Sequence, residues 1–119
     1  MDNSKDLLKM VVKAADGRRA SDIVALKVDQ ISPMADYFVI MTGGSNRQVQ
    51  AIANAIVEAA HENGVEIGSV EGKNNAQWVL IDLGDVVVHV FREETRHFYN
   101  LEKLWSEAPD VDISQWVKD

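Results

Sequence analysis

The chain has 119 residues, 46% of them hydrophobic, a formal charge of −7 and no cysteine. That length makes one domain with enough apolar surface to fold alone. The missing thiols exclude disulfides, thiolate nucleophiles and cysteine-ligated zinc or iron–sulfur centres.

No apolar run reaches membrane-spanning length, and the opening MDNSKDLLKM lacks the layout of a secretory signal. A cytoplasmic protein without membrane contact is therefore expected. The charge is uneven, because residues 71–119 hold 10 acidic and 5 basic residues, a net −5. Binding driven by a phosphate backbone needs clustered Lys and Arg, so little direct nucleic-acid contact is expected, whereas a basic protein partner would be steered toward the acidic half. An acidic surface also serves plain solubility.

Along the chain, Leu7, Leu8, Val11, Val12 and Ala15 recur at helical spacing after Asn3 or Ser4, and Gly17 stands where a glycine cap would end the helix. The run 23–28 (IVALKV) reads as a strand after a polar loop. The run 37–42 (YFVIMT) reads as a second strand, nearly all apolar, with Ser32-Pro33 marking the connection. Gly43-Gly44-Ser45 leads into a helix over 46–63, whose apolar stripe is Val49, Ile52, Ala53, Ile56 and Ala60; Ser45 with Gln48 forms a capping box, and Gly64 is the stop. A short strand is predicted near 67–71, then a hairpin over 78–91, then one helix from Glu93 to about Ala108.

The hairpin can be read residue by residue. Its two runs flank Gly84-Asp85, and glycine at the first central position suits a two-residue type II′ turn. Leu83 then pairs with Val86, Asp82 with Val87, Ile81 with Val88, Leu80 with His89, Val79 with Val90 and Trp78 with Phe91. One face collects Val79, Ile81, Leu83, Val86, Val88 and Val90, the composition of a sheet face packed under helices. The other collects Trp78, Leu80, Asp82, Val87, His89 and Phe91. Aromatics rimmed by polar groups suit a contact surface, although Trp78 and Phe91 would serve equally as a cross-strand pair tucked under a terminal helix. A diagonal hydrogen bond from His89 to Asp82 is expected on this face.

In the last helix, Arg96, Tyr99, Glu102 and Trp105 share one side at three-residue steps, and Phe98, Leu101 and Leu104 form the predicted core stripe beside them. Arg96 is expected to link to Glu102 and to Asp82 or Asp85, locking helix to hairpin. The element order gives an α+β fold, a mixed sheet of about five strands with helices mainly on one face. Residues 1–105 make the domain and 106–119 an acidic tail, whose Val111, Ile113 and Trp116 would suit a docking arm, a homodimer contact or a loosely held end.

An enzymatic reading starts from Gly44-Ser45 at a strand-to-helix turn, where backbone amides bind phosphate in nucleotidyltransferases. That chemistry needs paired carboxylates to hold magnesium, and residues 46–60 offer only Glu58, while the D-x-D of Asp110 and Asp112 lies far away in the tail. His61, His89 and His97 form no metal motif, and no serine has a hydrolase context. No catalytic residue, metal or cofactor is expected. An adaptor for some other basic partner stands as a further reading of the acidic face.

The block Trp78, Asp82-Leu83-Gly84-Asp85, Val88-His89-Val90, followed by Arg96, Tyr99 and Leu101-Glu102-Lys103-Leu104-Trp105, together with Asp36 to Ile40, Gly43, Ser45, Arg47 and Glu71-Gly72, resembles the ribosomal silencing factor, or Iojap, family. The resemblance covers about residues 22–105. It implies a fold related to nucleotidyltransferases without their catalytic carboxylates, and no enzymatic activity. It also implies binding to the large ribosomal subunit through large-subunit ribosomal protein fourteen, which blocks joining of the small subunit and represses translation when nutrients are short. On that basis Trp78, Leu80, Asp82, His89, Phe91, Glu71 and Asp85 are the expected partner-binding residues, and Arg96, Tyr99, Glu102 and Trp105 the orienting ones.

Overall fold

The structure, a computed structural model, describes residues 3–118. Helix α1 (Ser4–Gly17) starts where Asn3 Oδ1 accepts the Asp6 amide at 2.8 Å. Gly17 is not the left-handed cap expected of it: the helix runs through Gly17, and the reversal falls on Arg19 at φ 61°. Strands β1 (Ser21–Lys27) and β2 (Tyr37–Gly43) pair antiparallel, with a register shift between Ser21 and Val24 where Asp22 takes φ 50°. Helix α2 (Asn46–Glu62) follows, then β3 (Ser69–Glu71), β4 (Trp78–Asp82) and β5 (Val86–Arg92).

The hairpin has the register read from the sequence, from Trp78 opposite Phe91 to Asp82 opposite Val87, and the Leu83 amide closes the turn on the Val86 carbonyl at 3.0 Å. Gly84 carries the positive φ of 83° that a type II′ turn places there. β5 then pairs in parallel with β2, from Tyr37 opposite Val86 to Gly43 opposite Arg92.

The sheet has six strands rather than about five, in the order β3-β4-β5-β2-β1-β6. The added strand β6 (Asp110–Val111) comes from the acidic tail and pairs with Ala25 and Leu26 of β1. Val111, Ile113 and Trp116 pack against the chain's own core, and the Lys118 amide donates to Asp16 at 3.0 Å. The tail was unreadable as a strand because two residues carry no periodicity.

Helices α1 and α2 cover one face of the sheet. Their buried stripes, Leu8, Val11, Val12 and Ala15 from α1 and Val49, Ile52, Ala53, Ile56 and Ala60 from α2, meet Val39, Met41, Val79, Ile81, Val88 and Val90. Each such side chain taken fully from water stabilises by roughly 1.5–3 kcal/mol, so this face carries most of the fold's driving force. A second cluster of Leu26, Val28, Ala35, Ile40, Phe91 and Ala108 lies across the sheet, with Phe38, Trp78, Leu101 and Trp105 against it.

The predicted long last helix is two pieces, α3 (Glu93–Tyr99) and the single turn α4 (Leu101–Leu104), broken by Asn100 in the left-handed region at φ 47°, ψ 58°. Asn tolerates that conformation better than other residues with a side chain. The break rotates the predicted stripes: Phe98 and Leu104 of the expected core stripe point to solvent, and Arg96 is buried instead. No described helix is long and apolar enough to cross a membrane.

Candidate functional site

Alternation along β4 and β5 puts Trp78, Leu80, Asp82, Val87, His89 and Phe91 on the face away from α1 and α2, and β3 extends that face by setting Glu71 opposite Leu80. From β2 come Phe38, Ile40 and Thr42, opposite Val87, His89 and Phe91. Burial divides this set. Phe91 is 0% and His89 6% exposed, so both lie beneath the face rather than on it. Trp78, Leu80 and Asp82 are half-buried, and Glu71 and Asp85 are exposed.

The rings form a continuous chain. Trp78 stacks on Phe91 with centroids 4.9 Å apart and meets Tyr99 at 4.7 Å, and Tyr99 meets Phe98 edge-on at 5.1 Å. On the other side Phe38 lies 5.6 Å from His89 and 5.0 Å from Trp105, both edge-on. Edge-to-face and offset pairs of this kind add about 0.5–1.5 kcal/mol beyond area burial, so the face is held rigid. The outer end is open: Phe98 is 82%, Leu104 71% and Tyr99 51% exposed. Phe98 and Leu104 were missed as surface residues because an unbroken helical period assigns them inward.

His89 does not bond to Asp82. Its Nδ1 accepts the Trp78 indole N–H at 3.1 Å, while Asp82 Oδ1 accepts the Gly84 amide at 2.9 Å and so braces the turn. An accepting Nδ1 fixes the neutral tautomer with its proton on Nε2. Burial lowers the imidazole pKa from 6.5 to about 4, consistent with a neutral ring that orients Trp78.

Arg96 reaches Glu102 as expected, Nε to Oε1 at 2.8 Å, but neither Asp82 nor Asp85 is its partner. Its Nη1 donates instead to the Asp22 carbonyl at 2.7 Å and the Thr42 hydroxyl at 2.8 Å. The bulge in β1 aims the Asp22 carbonyl, so one buried guanidinium ties α3 to α4, β1 and β2 and fixes the base from which Tyr99 and Phe98 project. Of the four residues expected to orient the helix, Arg96 and Glu102 pair with each other, Trp105 packs edge-on against Phe38, and Tyr99 is 51% exposed.

The Gly43–Ser45 turn is explained by packing. A side chain at Gly43 would meet Val49 Cγ2 at 2.8 Å, so glycine is what lets α2 approach β2. Ser45 Oγ accepts the Gln48 amide at 3.0 Å, and Gln48 Oε1 takes the Gly44 amide at 2.6 Å, so two amides of this turn are engaged within the chain. Ser45 is thus the N-cap as read from the sequence, while the reciprocal bond of the capping box falls on the amide of Gly44 rather than that of Ser45. Among the described residues no group of three His, Asp or Glu could hold a metal ion.

The family model described as "Ribosomal silencing factor during starvation" matches residues 1–119. The ribosomal silencing factor RsfS of Bacillus subtilis is 53% identical over 111 residues, covering 93% of this chain and 94% of that protein. A crystal structure from Bacillus halodurans superposes with a TM-score of 0.83 at 50% identity, covering 92% of this chain and 99% of the other. More distantly, the mouse protein named "Mitochondrial assembly of ribosomal large subunit protein 1" is 32% identical over 102 residues, covering 83% of this chain and 45% of that protein.

Proposed function

This chain belongs to the ribosomal silencing factor family, and we propose that it silences by occlusion, docking its aromatic face on large-subunit ribosomal protein fourteen and blocking the approach of the small subunit. The observation that carries this reading is the exposed patch of Phe98, Tyr99 and Leu104, continuous through Tyr99 with Trp78. A face with exposed rings at one end and carboxylates farther along the hairpin suits a basic protein surface: the rings supply desolvated contact area, and Glu71, Asp82 and Asp85 supply complementary charge.

The mechanism is geometric. A rigid face needs no cofactor and no chemical step, because a body bound between two surfaces prevents their contact. Rigidity lowers the ordering cost of binding, since the rings are already held by His89, Phe91 and the Arg96 network. Trp78, Leu80, Asp82, Glu71 and Asp85 are the contact residues of this reading, joined by Phe98, Tyr99 and Leu104. Repression of translation under nutrient limitation follows from fewer joined ribosomes.

Light scattering of large and small subunits joining, with the protein added first to the large subunit, tests this. Inhibition saturating near one protein per large subunit is the expected result, weakened roughly 30-fold by a folded Trp78→Ala variant, the equivalent of about 2 kcal/mol for a central aromatic. Unchanged joining at excess folded protein would sink direct occlusion.

A further inference from the structure

The whole-chain charge of −7 hides a local reversal at the edge where β2 and β5 end and α2 begins. Five of the twelve basic residues, Arg18, Arg19, Arg47, Lys73 and Arg92, lie on four separate segments that the first turns of α2 connect. Side chains of the first turns of α2 join these segments, mostly through their backbone carbonyls. Gln48 Nε2 donates to the carbonyls of Arg18 and Arg19 at 3.3 and 3.1 Å, Gln50 Nε2 to the Lys73 carbonyl at 3.2 Å, and Asn46 Oδ1 accepts Arg92 Nη1 at 2.6 Å.

Like charges brought together in an acidic protein repel, and the chain holds more than enough carboxylates to neutralise them. It does not use them here. Among the described residues Arg18, Arg19, Arg47 and Lys73 make no ion pair, and Arg92 has only Glu94 at 3.6 Å. All but Arg92 are exposed, and the first turn of α2 has no acidic residue. The Asp16 carboxylate near Arg19 already accepts the Lys118 amide.

The edge is joined through the backbone to the strand ends that carry the aromatic face. Arg92 directly follows Phe91, and its amide donates at 3.0 Å to the carbonyl of Gln77, the residue before Trp78. The Arg92 side chain itself turns to the α2 side, where Asn46 Oδ1 accepts its Nη1, so the basic edge lies at the rim of the sheet beyond the strand ends that carry Trp78 and Phe91.

We infer that this edge is a second contact surface, for the phosphate backbone of ribosomal RNA beside the protein docking site. Arg is suited to it because its planar fork engages phosphate oxygens in pairs, and several cations at one edge match a repeating anion better than a single carboxylate. The choice of RNA rests on the ribosomal docking proposed above; the expectation of little nucleic-acid contact came from net charge, which averages this edge away.

Binding of the full chain to purified large subunits, and separately to isolated ribosomal protein fourteen, measured across a salt series, tests the inference. Arg18→Gln/Arg19→Gln/Arg47→Gln should bind subunits at least about tenfold more weakly at low salt, with a log affinity against log salt slope shallower by roughly 2, since each lost phosphate contact removes about 0.7–0.9. Its affinity for the isolated ribosomal protein should be unchanged. Arg47→Glu is the second variant, because a carboxylate in the first turn of α2 favours the helix and a loss of binding there is not unfolding. Unchanged slopes for both folded variants would overturn the RNA contact. Equal losses on the isolated ribosomal protein would overturn it too, by placing the arginines against protein carboxylates. If the unaltered chain fails to bind ribosomal protein fourteen, the docking partner is wrong, and the slope difference on subunits still decides whether this edge meets RNA.

Discussion

The two faces of the sheet are made by alternate residues of the same strands, yet they are built on different principles. Val39, Met41, Val79, Ile81, Val88 and Val90 meet two helices in a dry aliphatic layer. Their neighbours Phe38, Thr42, Trp78, His89 and Phe91 meet rings, a guanidinium and an imidazole, and open onto solvent at Tyr99 and Phe98. The first face tolerates nothing but shape and apolarity. The second combines a supported base with an exposed end, so stability and binding separate along it residue by residue.

The sharpest way to break the comparison is a cavity in the first face. Ile52→Ala, at a position with no exposed surface, should cost about 4 kcal/mol by urea denaturation, and subunit joining should change only as far as folded protein is lost. On the second face, Arg96→Leu removes the donor shared by Glu102, Thr42 and Asp22. A loss of about 3 kcal/mol is expected there, because three oxygens lose their partner and a half-buried carboxylate its counter-charge.

His89 distinguishes the faces by pH. Its folded pKa lies at about 4, below the 6.5 of the free side chain. The unfolded chain therefore takes up the proton first. The group's contribution is intact above pH 6.5 and is lost as pH falls from there toward 4, with a slope approaching 1.4 kcal/mol per unit. Thermal melts between pH 7 and 5 should show His89→Gln less acid-sensitive than the unaltered chain; equal sensitivity would mean that the imidazole is not held neutral. The smallest stability effect belongs to the exposed end. Phe98→Ser should change unfolding free energy by less than about 0.5 kcal/mol while weakening inhibition of joining about tenfold, the converse of Ile52→Ala. A Phe98→Ser protein as inhibitory as the original would confine the contact to Trp78 and the hairpin.

The first face was legible in the sequence because it obeys periods: 2 in the hairpin, 3.6 in α1 and α2. One glycine set the register of β4 and β5, and the whole ladder followed from Gly84. The second face obeys the same alternation, but what its residues touch depends on α3 and α4, and there a single left-handed Asn100 undid the helical reading. No periodic argument locates such a break, since Asn sits inside helices as well as at their ends. Arg96 to Glu102 was legible as a local pair, whereas its links to Asp22 and Thr42 depend on a bulge that the sequence does not mark. The His89 bond to Trp78 instead of Asp82 was decided by burial, which left the turn amide of Gly84 as the better use of the carboxylate.

The two-residue strand β6 has a consequence for the molecule's behaviour in company. Without it, β1 would be the outer strand, offering Ala25, Leu26 and the amide of Lys27, which the Pro109 carbonyl now holds at 2.9 Å, as an open template for a neighbouring chain. β6 closes that edge with a strand too short to extend, next to a proline and an aspartate. At the other margin β3 is only three residues long. Both borders of the sheet are therefore stoppered, and a chain cut back at Trp105 should keep its aromatic face yet polymerise edge to edge.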